Sequence, residues 1–283
     1  MAAQILVSKG YDKIPELYDK NIAALFKPLA RKLVEMASLR EGEKVLDIGT
    51  GTGLAAFLAA EVVGPKGGVV GIDLSEGMIS VARRKGEIFG LKNVEFHKMD
   101  ETALDLPDNG FDVVIANLGL SVFNTNLAFN EMYRVLKPGG RLAFNEWTER
   151  GVSPKADDIF EEIMIRNRTP NPSEFLVAAR EARSYRLRGW KRLYDKAILS
   201  RMLRETGFKD VSVLTIQHQA TAPTIKDYSE MQLSWWTVAA ELAEMTPNNK
   251  QKFLGEVNDA LTPLLSPSGL ILDWELNYFT AKK

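Results

Sequence analysis

Val45-Leu46-Asp47-Ile48-Gly49-Thr50-Gly51-Thr52-Gly53 is the stretch on which the reading of the fold turns. Three apolar or β-branched residues, Val45, Leu46 and Ile48, surround one carboxylate and run into a glycine-rich turn. Leu54-Ala55-Ala56-Phe57-Leu58-Ala59-Ala60 then reads as a helix. Strand, glycine turn and helix in that order open a nucleotide-binding α/β unit. Glycine is needed where a ligand lies against the backbone, because Cβ atoms would hold it off. The helix start adds unpaired N–H groups for the same ligand. With no ligand, the same stretch would be only a helix-capping turn. A dinucleotide site asks for G-x-G-x-x-G, and counting from Gly49 the last position falls on Leu54, so that fit is incomplete. The pattern is G-x-G-x-G with Asp47 two residues ahead, and a carboxylate there suits a positive amino group better than a pyrophosphate.

Composition narrows the class. The 36 basic and 37 acidic side chains nearly cancel, so no global field draws the chain to nucleic acid or to an anionic membrane. Without cysteine there is no disulfide frame, thiolate nucleophile or cysteine metal site, and no metal is expected. No apolar run approaches the ~18 residues of a membrane span, and the N-terminus lacks a signal-peptide h-region. The expectation is a soluble cytoplasmic protein, one domain over residues 1–283 without repeats.

Outward from the glycine turn, further carboxylates fall at strand ends. Val69-Val70-Gly71-Ile72-Asp73 is a short buried strand, and Asp73 stands about 20 residues past the turn, the offset at which an acid meets ribose hydroxyls. One carboxylate can accept from both hydroxyls of a vicinal diol. The competing role for Asp73, capping the next helix, is one Ser75 can fill. Leu74 and Met78, with Ile72, could sandwich an adenine or be plain core. Val94 to Asp100 alternates like a strand and runs into Glu101; Asp100 can accept from an adenine amino group. His97, several residues before that strand's end, reads as a strand-face residue. Phe111 to Asn117 is a nearly continuous apolar run, a buried parallel strand, followed by Leu118-Gly119-Leu120. A helix over 126–136, then Lys137-Pro138-Gly139-Gly140 and a strand over 141–147 complete this half.

On these motifs the chain resembles the class I S-adenosylmethionine-dependent methyltransferases, and within them the group that includes ubiquinone and menaquinone biosynthesis C-methyltransferases. The resemblance covers about residues 11–147 and is loose beyond; one departure is Thr50, where many relatives carry cysteine. It implies a Rossmann-like, doubly wound α/β sheet of seven strands, mostly parallel with the last antiparallel, plus N-terminal helices and helical lid insertions. It also implies S-adenosyl-L-methionine as cofactor, contacted by Tyr18, Asp47, Gly49, Thr50, Gly51, Gly53, Asp73, Leu74, Met78, Asp100, Glu101, Asn117 and Leu118. Asn117 and Leu118 would lie over the sulfonium. Aromatic residues of the leading segment close over the cofactor in such enzymes, so Tyr18 and Tyr11 are read either that way or as ordinary half-buried tyrosines. Nucleobase amino-methyltransferases carry Asn/Asp-Pro-Pro-aromatic after the fourth strand. This chain does not, which argues against N6-adenine-type or N4-cytosine-type chemistry and, less directly, against nucleic acid.

Residues 1–40 read as a helical cap, 41–150 as the cofactor core, and 151–194 and 221–269 as insertions over the substrate. Leu17, Ile22, Leu25, Phe26, Leu29 and Leu33 recur at helical spacing within 11–38, and Pro15 and Pro28 predict a break into two helices. Arg180, Arg183, Arg186, Arg188, Lys191 and Arg192 interleave with Tyr185, Trp190 and Tyr194. They form either a clamp for an anionic substrate or a solvated basic face. Trp235 and Trp236 are neighbours on a helix pattern, so one can pack inward while the other faces a pocket. Tyr11, Trp147, Tyr185, Trp190 and Trp235 are the candidate acceptor contacts. The expected function is methyl transfer to a small-molecule acceptor. The competing readings are an RNA or protein methyltransferase, a non-catalytic S-adenosylmethionine-binding module, and a nicotinamide oxidoreductase. No residue is singled out as catalytic; His218, past a strand over 208–216, is either a base or plain surface.

Overall fold

In the computed structural model, which describes residues 2–120, 124–148, 154–183 and 195–283, the opening stretch forms the centre of the sheet. β1 (Lys44–Ile48) is buried at every position but its first. It lies between β2 (Gly68–Asp73) and β4 (Phe111–Asn117), parallel to both. A strand paired on both edges and covered on both faces has no solvated side, which is why it reads as an unbroken apolar run around a single acid. β3 (Val94–Lys98) extends the sheet beyond β2, and β5 (Leu136–Trp147) beyond β4. β6 (Lys209–Ala222) and β7 (Leu270–Lys282) complete the order β3-β2-β1-β4-β5-β7-β6. Only β7 runs antiparallel to its neighbours, and it occupies the slot between β5 and β6.

Helices cover both faces. On one side α3 (Ala24–Met36) and α4 (Leu54–Val63) pack on Val45, Val113 and Ile115. On the other α6 (Thr125–Val135) and α9 (Lys196–Thr206) pack on Leu46, Val114 and Phe144. Alternate residues of the same strands thus feed two cores, the arrangement of a doubly wound sheet. α5 (Glu76–Ile88) follows β2 and starts at an N-cap, Ser75, whose hydroxyl accepts the Met78 N–H. Above the carboxyl ends of the strands lie α7 (Pro154–Arg166), α8 (residues 174–183), α10 (Ile225–Leu233), α11 (Trp236–Ala243) and α12 (Pro247–Leu261).

Three local expectations differ from the structure. The leading segment has α1 (Ala2–Tyr11) and a single turn, α2 (Pro15–Tyr18), before α3, and Pro28 lies inside α3 instead of ending it. The disruption is a π turn, Asp19–Ala23, immediately upstream. β3 stops at Lys98, so Asp100 sits in the turn beyond it. β6 runs on to Ala222 because β7 is long enough to pair with it throughout, and His218 is therefore a strand residue opposite Trp274.

The loops leaving β1 and β4 are in backbone contact. A Cβ on Gly49 would come 2.5 Å from the Gly119 Cα, and one on Gly119 would overlap the Ile48 carbonyl oxygen. Gly49 also has φ of +62°, which L side chains rarely adopt. Gly119→Ala should therefore push the two loops apart. A loss of about 1–3 kcal/mol of stability is expected by analogy with overpacked cores, read as a lowered Tm, together with weaker cofactor affinity.

Candidate functional site

A cavity of about 250 Å³ opens at the carboxyl ends of β1, β2, β4 and β5. Ligands in open α/β sheets lie there because the strand ends and helix starts present unpaired polar groups. Gly49, Gly51, Asp73, Leu74, Met78, Asp100, Glu101, Asn117 and Leu118 all line it, as do Tyr11, Tyr18, Trp147 and Trp235. A smaller adjoining cavity is lined by Asp47, Thr50, Thr52 and Ala55, with Gly49, Gly51, Tyr18, Phe26 and Asn117 shared between the two.

The small cavity is polar and incompletely satisfied. Asp47 is fully buried, and its Oδ2 accepts the Thr50 hydroxyl at 2.6 Å. Asp47 Oδ1 and Thr52 Oγ1 are buried with no hydrogen-bond partner among the described residues. Such atoms are costly unless a ligand or water completes them. Burial pushes the Asp47 carboxyl up to about 7, with the Thr50 hydroxyl and the Ala56 N–H at the start of α4 opposing. A buried carboxylate with an open oxygen asks for a cation. Gly51 has φ of +55°, and a Cβ there would meet nothing nearer than the Tyr18 ring at 4.0 Å, which leaves a backbone cradle beside the acid. These features fit the amino-acid head of S-adenosylmethionine.

Asp73 sits at the edge of the large cavity. Its Oδ2 accepts the Gly51 N–H at 3.0 Å and its Oδ1 the Ser75 N–H at 2.9 Å. The acid that would read a ribose thus also fastens the glycine turn. Burial raises its pKa, with the Ser75 and Gly51 N–H groups opposing; a carboxylate has about four acceptor positions, so acceptor capacity is left for a diol. Asp100 uses Oδ1 for both the N–H and the hydroxyl of Thr102, at 2.8 and 2.7 Å.

Gly53 is placed differently from expectation. It does not line either cavity; a Cβ there would come 2.7 Å from the Phe57 ring, and φ is +88° at the N-cap of α4. Its glycine answers to packing and to the helix start. His218 is likewise no candidate base: it is half-buried, away from the cavity, with Nε2 2.8 Å from the Tyr278 hydroxyl. Burial lowers its pKa, so the neutral ring is favoured. His97 is exposed beside Glu95, as a strand-face residue would be. Arg180 and Arg183 are neither clamp nor solvated face. Arg180 Nε donates to the buried Glu241 at 2.8 Å, and Arg183 pairs with Glu161 and donates to Thr237 at 3.0 Å, tying α8 to α11 and α7. Tyr185, Trp190, Arg186, Arg188, Lys191, Arg192 and Tyr194 lie outside the described residues.

Several residues of the site escape the sequence reading. Asp12 Oδ1 accepts the Ser75 hydroxyl at 2.6 Å and the Gly77 N–H at 2.8 Å, and the Ser8 hydroxyl donates to the Leu74 carbonyl at 3.1 Å. The end of α1 is thereby fastened over the β2 edge of the cavity. Nothing local in the sequence signals a contact across more than sixty residues. Phe26 joins Trp147 and Trp235 in the cavity wall, with ring centroids 5.9 and 6.2 Å away. Glu146, a buried carboxylate beside Trp147, also lines it. The signal for it was available: an acid at the carboxyl end of a buried strand. Trp235 and Trp236 both reach the cavity, Trp235 half-buried and Trp236 buried against Phe175 and Gly10. At the end of β4, Leu118 holds φ of +54°, a conformation costing about 1–3 kcal/mol in a non-glycine residue. Its N–H donates to Asn145 Oδ1 at 2.8 Å. No metal-ligating cluster exists among the described residues, and no helix among them is long and apolar enough to cross a membrane.

Comparison with known proteins bears on this geometry. A family model described as a methyltransferase domain matches residues 39–207. The chain is 34% identical over 220 residues to the ubiquinone/menaquinone biosynthesis C-methyltransferase of Cronobacter sakazakii, covering 75% of this chain and 84% of that protein. It is 32% identical over 221 residues to the demethylmenaquinone methyltransferase of Listeria monocytogenes, covering 76% and 92%. Among solved structures, an S-adenosylmethionine-dependent methyltransferase from Aquifex aeolicus aligns with a TM-score of 0.50 at 25% identity, covering 70% of this chain and 88% of that one.

Two outcomes test the site. Because the Asp47 pKa is raised from 3.8 to about 7, the folded chain holds a proton that the unfolded chain has lost. Stability of the ligand-free protein should therefore fall as pH rises between those values. A ligand ammonium reverses the preference, so binding of S-adenosylhomocysteine at pH 6 should expel a proton and tighten toward pH 7. Calorimetry in two buffers of different ionisation heat reads this; Asp47→Asn should abolish the proton release, weaken binding, and raise the Tm of the ligand-free protein at pH 8. Asp73→Ala, which removes both a ligand acceptor and the Gly51 anchor, should weaken S-adenosylhomocysteine binding about a hundredfold or more; unchanged affinity would refute its assignment.

Proposed function

Since this chain belongs to the class I S-adenosylmethionine-dependent small-molecule methyltransferases, and is thus an enzyme that methylates a small acceptor, we propose that its acceptor is a planar, oxygenated ring methylated at carbon. The observation that carries this reading is the wall made by Phe26, Trp147 and Trp235, which shares one cavity with Asp73, Asp100 and Asn117. Flat rings set at steep angles to one another favour a flat apolar guest. The two relatives named above are a ubiquinone/menaquinone biosynthesis C-methyltransferase and a demethylmenaquinone methyltransferase, in keeping with such a guest.

S-adenosylmethionine, when bound, supplies a methyl group already activated on a sulfonium. The task of the chain is then to hold and to exclude. Asp47 would pair with the ammonium, Asp73 with the ribose diol and Asp100 with the adenine amino group, each acting from the end of a different strand. Phe26, Trp147 and Trp235 would orient the ring and keep water from the reacting carbon. Orientation of this kind can supply roughly 7–11 kcal/mol of a barrier. Glu146 places a carboxylate in the same wall, within the cavity where a ring hydroxyl would lose its proton.

The purified protein should convert S-adenosylmethionine to S-adenosylhomocysteine in the presence of 1,4-naphthohydroquinone, with the new methyl on a ring carbon by mass spectrometry and NMR. Trp147→Ala or Trp235→Ala should raise KM for that acceptor about tenfold or more while leaving S-adenosylhomocysteine affinity within about twofold. Turnover with ethanolamine but not with the hydroquinone would overturn the proposed acceptor class.

A further inference from the structure

We propose that Asn145 is a positioning residue that fixes the hydrogen-bond polarity of the groove, so that Asn117 offers only a donor to the bound ligand and therefore meets a ligand oxygen. The proposal rests on the methyltransferase reading above. One group here has no choice of role: a backbone N–H can only donate. The Leu118 N–H donates to the Asn145 side chain at 2.8 Å, so Asn145 must present its oxygen there. A primary amide has one oxygen and one nitrogen, so the other end of Asn145 is its NH2 group. That group donates to Asn117 Oδ1 at 3.0 Å. Asn117 therefore has its oxygen engaged, and its own NH2 is the end left over.

The chain of consequence is rigid at every link. Asn145 is fully buried in β5, directly opposite Asn117 in β4. Leu118 is held in a left-handed conformation, and Gly119 beside it is in backbone contact with Gly49. Asn117 lines both the small and the large cavity, at their junction, and its Nδ2 has no hydrogen-bond partner among the described residues. Two amides that could each turn end for end are thus locked by one peptide N–H. What faces the ligand is a donor without an acceptor of its own. A donor at this junction selects an oxygen bearing negative or partial negative charge. Two groups supply that chemistry, the carboxylate of the cofactor's amino-acid head and an oxygen on the acceptor ring.

The experiment separates these sources. Asn117→Asp keeps both bonds of Asn145 while replacing the donor with an oxygen, and Asn145→Leu removes the lock. The binding arm uses S-adenosylhomocysteine and 5′-methylthioadenosine, which lacks the amino-acid head; the turnover arm uses 1,4-naphthohydroquinone at saturating S-adenosylmethionine. If the carboxylate is the partner, both variants lose about tenfold or more in S-adenosylhomocysteine affinity and keep methylthioadenosine affinity. If the acceptor oxygen is the partner, both binding constants hold and kcat/KM for the hydroquinone falls by a similar factor. Equal losses for the two nucleosides would mark a merely structural role and overturn the proposal, as would wild-type values throughout. Should Asn145→Leu fail to fold, Asn117→Asp decides alone. Failure of the wild-type protein to bind S-adenosylhomocysteine would instead count against the methyltransferase reading.

Discussion

Two backbones touch where β1 and β4 leave the sheet, and the arrangement of the site depends on that touch. Gly49 and Gly119 approach so closely that neither tolerates a side chain without displacement. The contact sets the distance between the glycine turn, with Asp47 beneath it, and the β4 exit, with Asn117 and Leu118. One loop would offer its acid to a cationic group and the other its amide to an oxygen. Moving the loops apart by the width of a methyl group would separate the two halves of one recognition surface.

The acids of the site also serve the fold, and this dual use explains their stability in an otherwise apolar setting. Asp73 anchors Gly51 and Ser75, and Asp100 anchors Thr102. Each gives one or two lone pairs to the backbone and keeps others for a guest. Asp47 is the contrast. It accepts the Thr50 hydroxyl on Oδ2, and burial outweighs the support that this and the Ala56 N–H give its ionised form. Burial opposes the ionised form of both Asp47 and Asp73, but Asp73 has the Gly51 and Ser75 N–H groups against it.

Legibility followed the range of the interactions. The strand, glycine turn and helix from Val45 to Ala60, and the acids at 73 and 100, are readable because their meaning lies within a few residues or at a fixed offset along one βαβ unit. The seven-stranded sheet follows from the same alternation and the family resemblance. What cannot be read is non-local. Asp12 reaches Ser75 and Gly77, and Asn145 locks Asn117, through contacts that no periodicity announces. Gly53 shows the limit of a motif: three glycines at alternating positions look alike in sequence, yet the third answers to the Phe57 ring. Arg180 and Arg183 show the limit of a charge run, since pairing with Glu241 and Glu161 depends on where α7 and α11 come to rest. Pro28 misleads because α3 runs through it, and β6 looks shorter than it is because its partner, β7, lies far along the chain.

The slot taken by β7 has a kinetic consequence. β6 is made before β7, yet β5 and β6 never pair with each other; both wait for the strand that goes between them. On a ribosome emitting about 5–20 residues per second, the stretch from Ala222 to Leu270 leaves two open sheet edges for a time on the order of seconds. During that interval their unpaired N–H and C=O groups are open to pairing with another chain. Vectorial synthesis is then a stage at which this topology is open to mispairing.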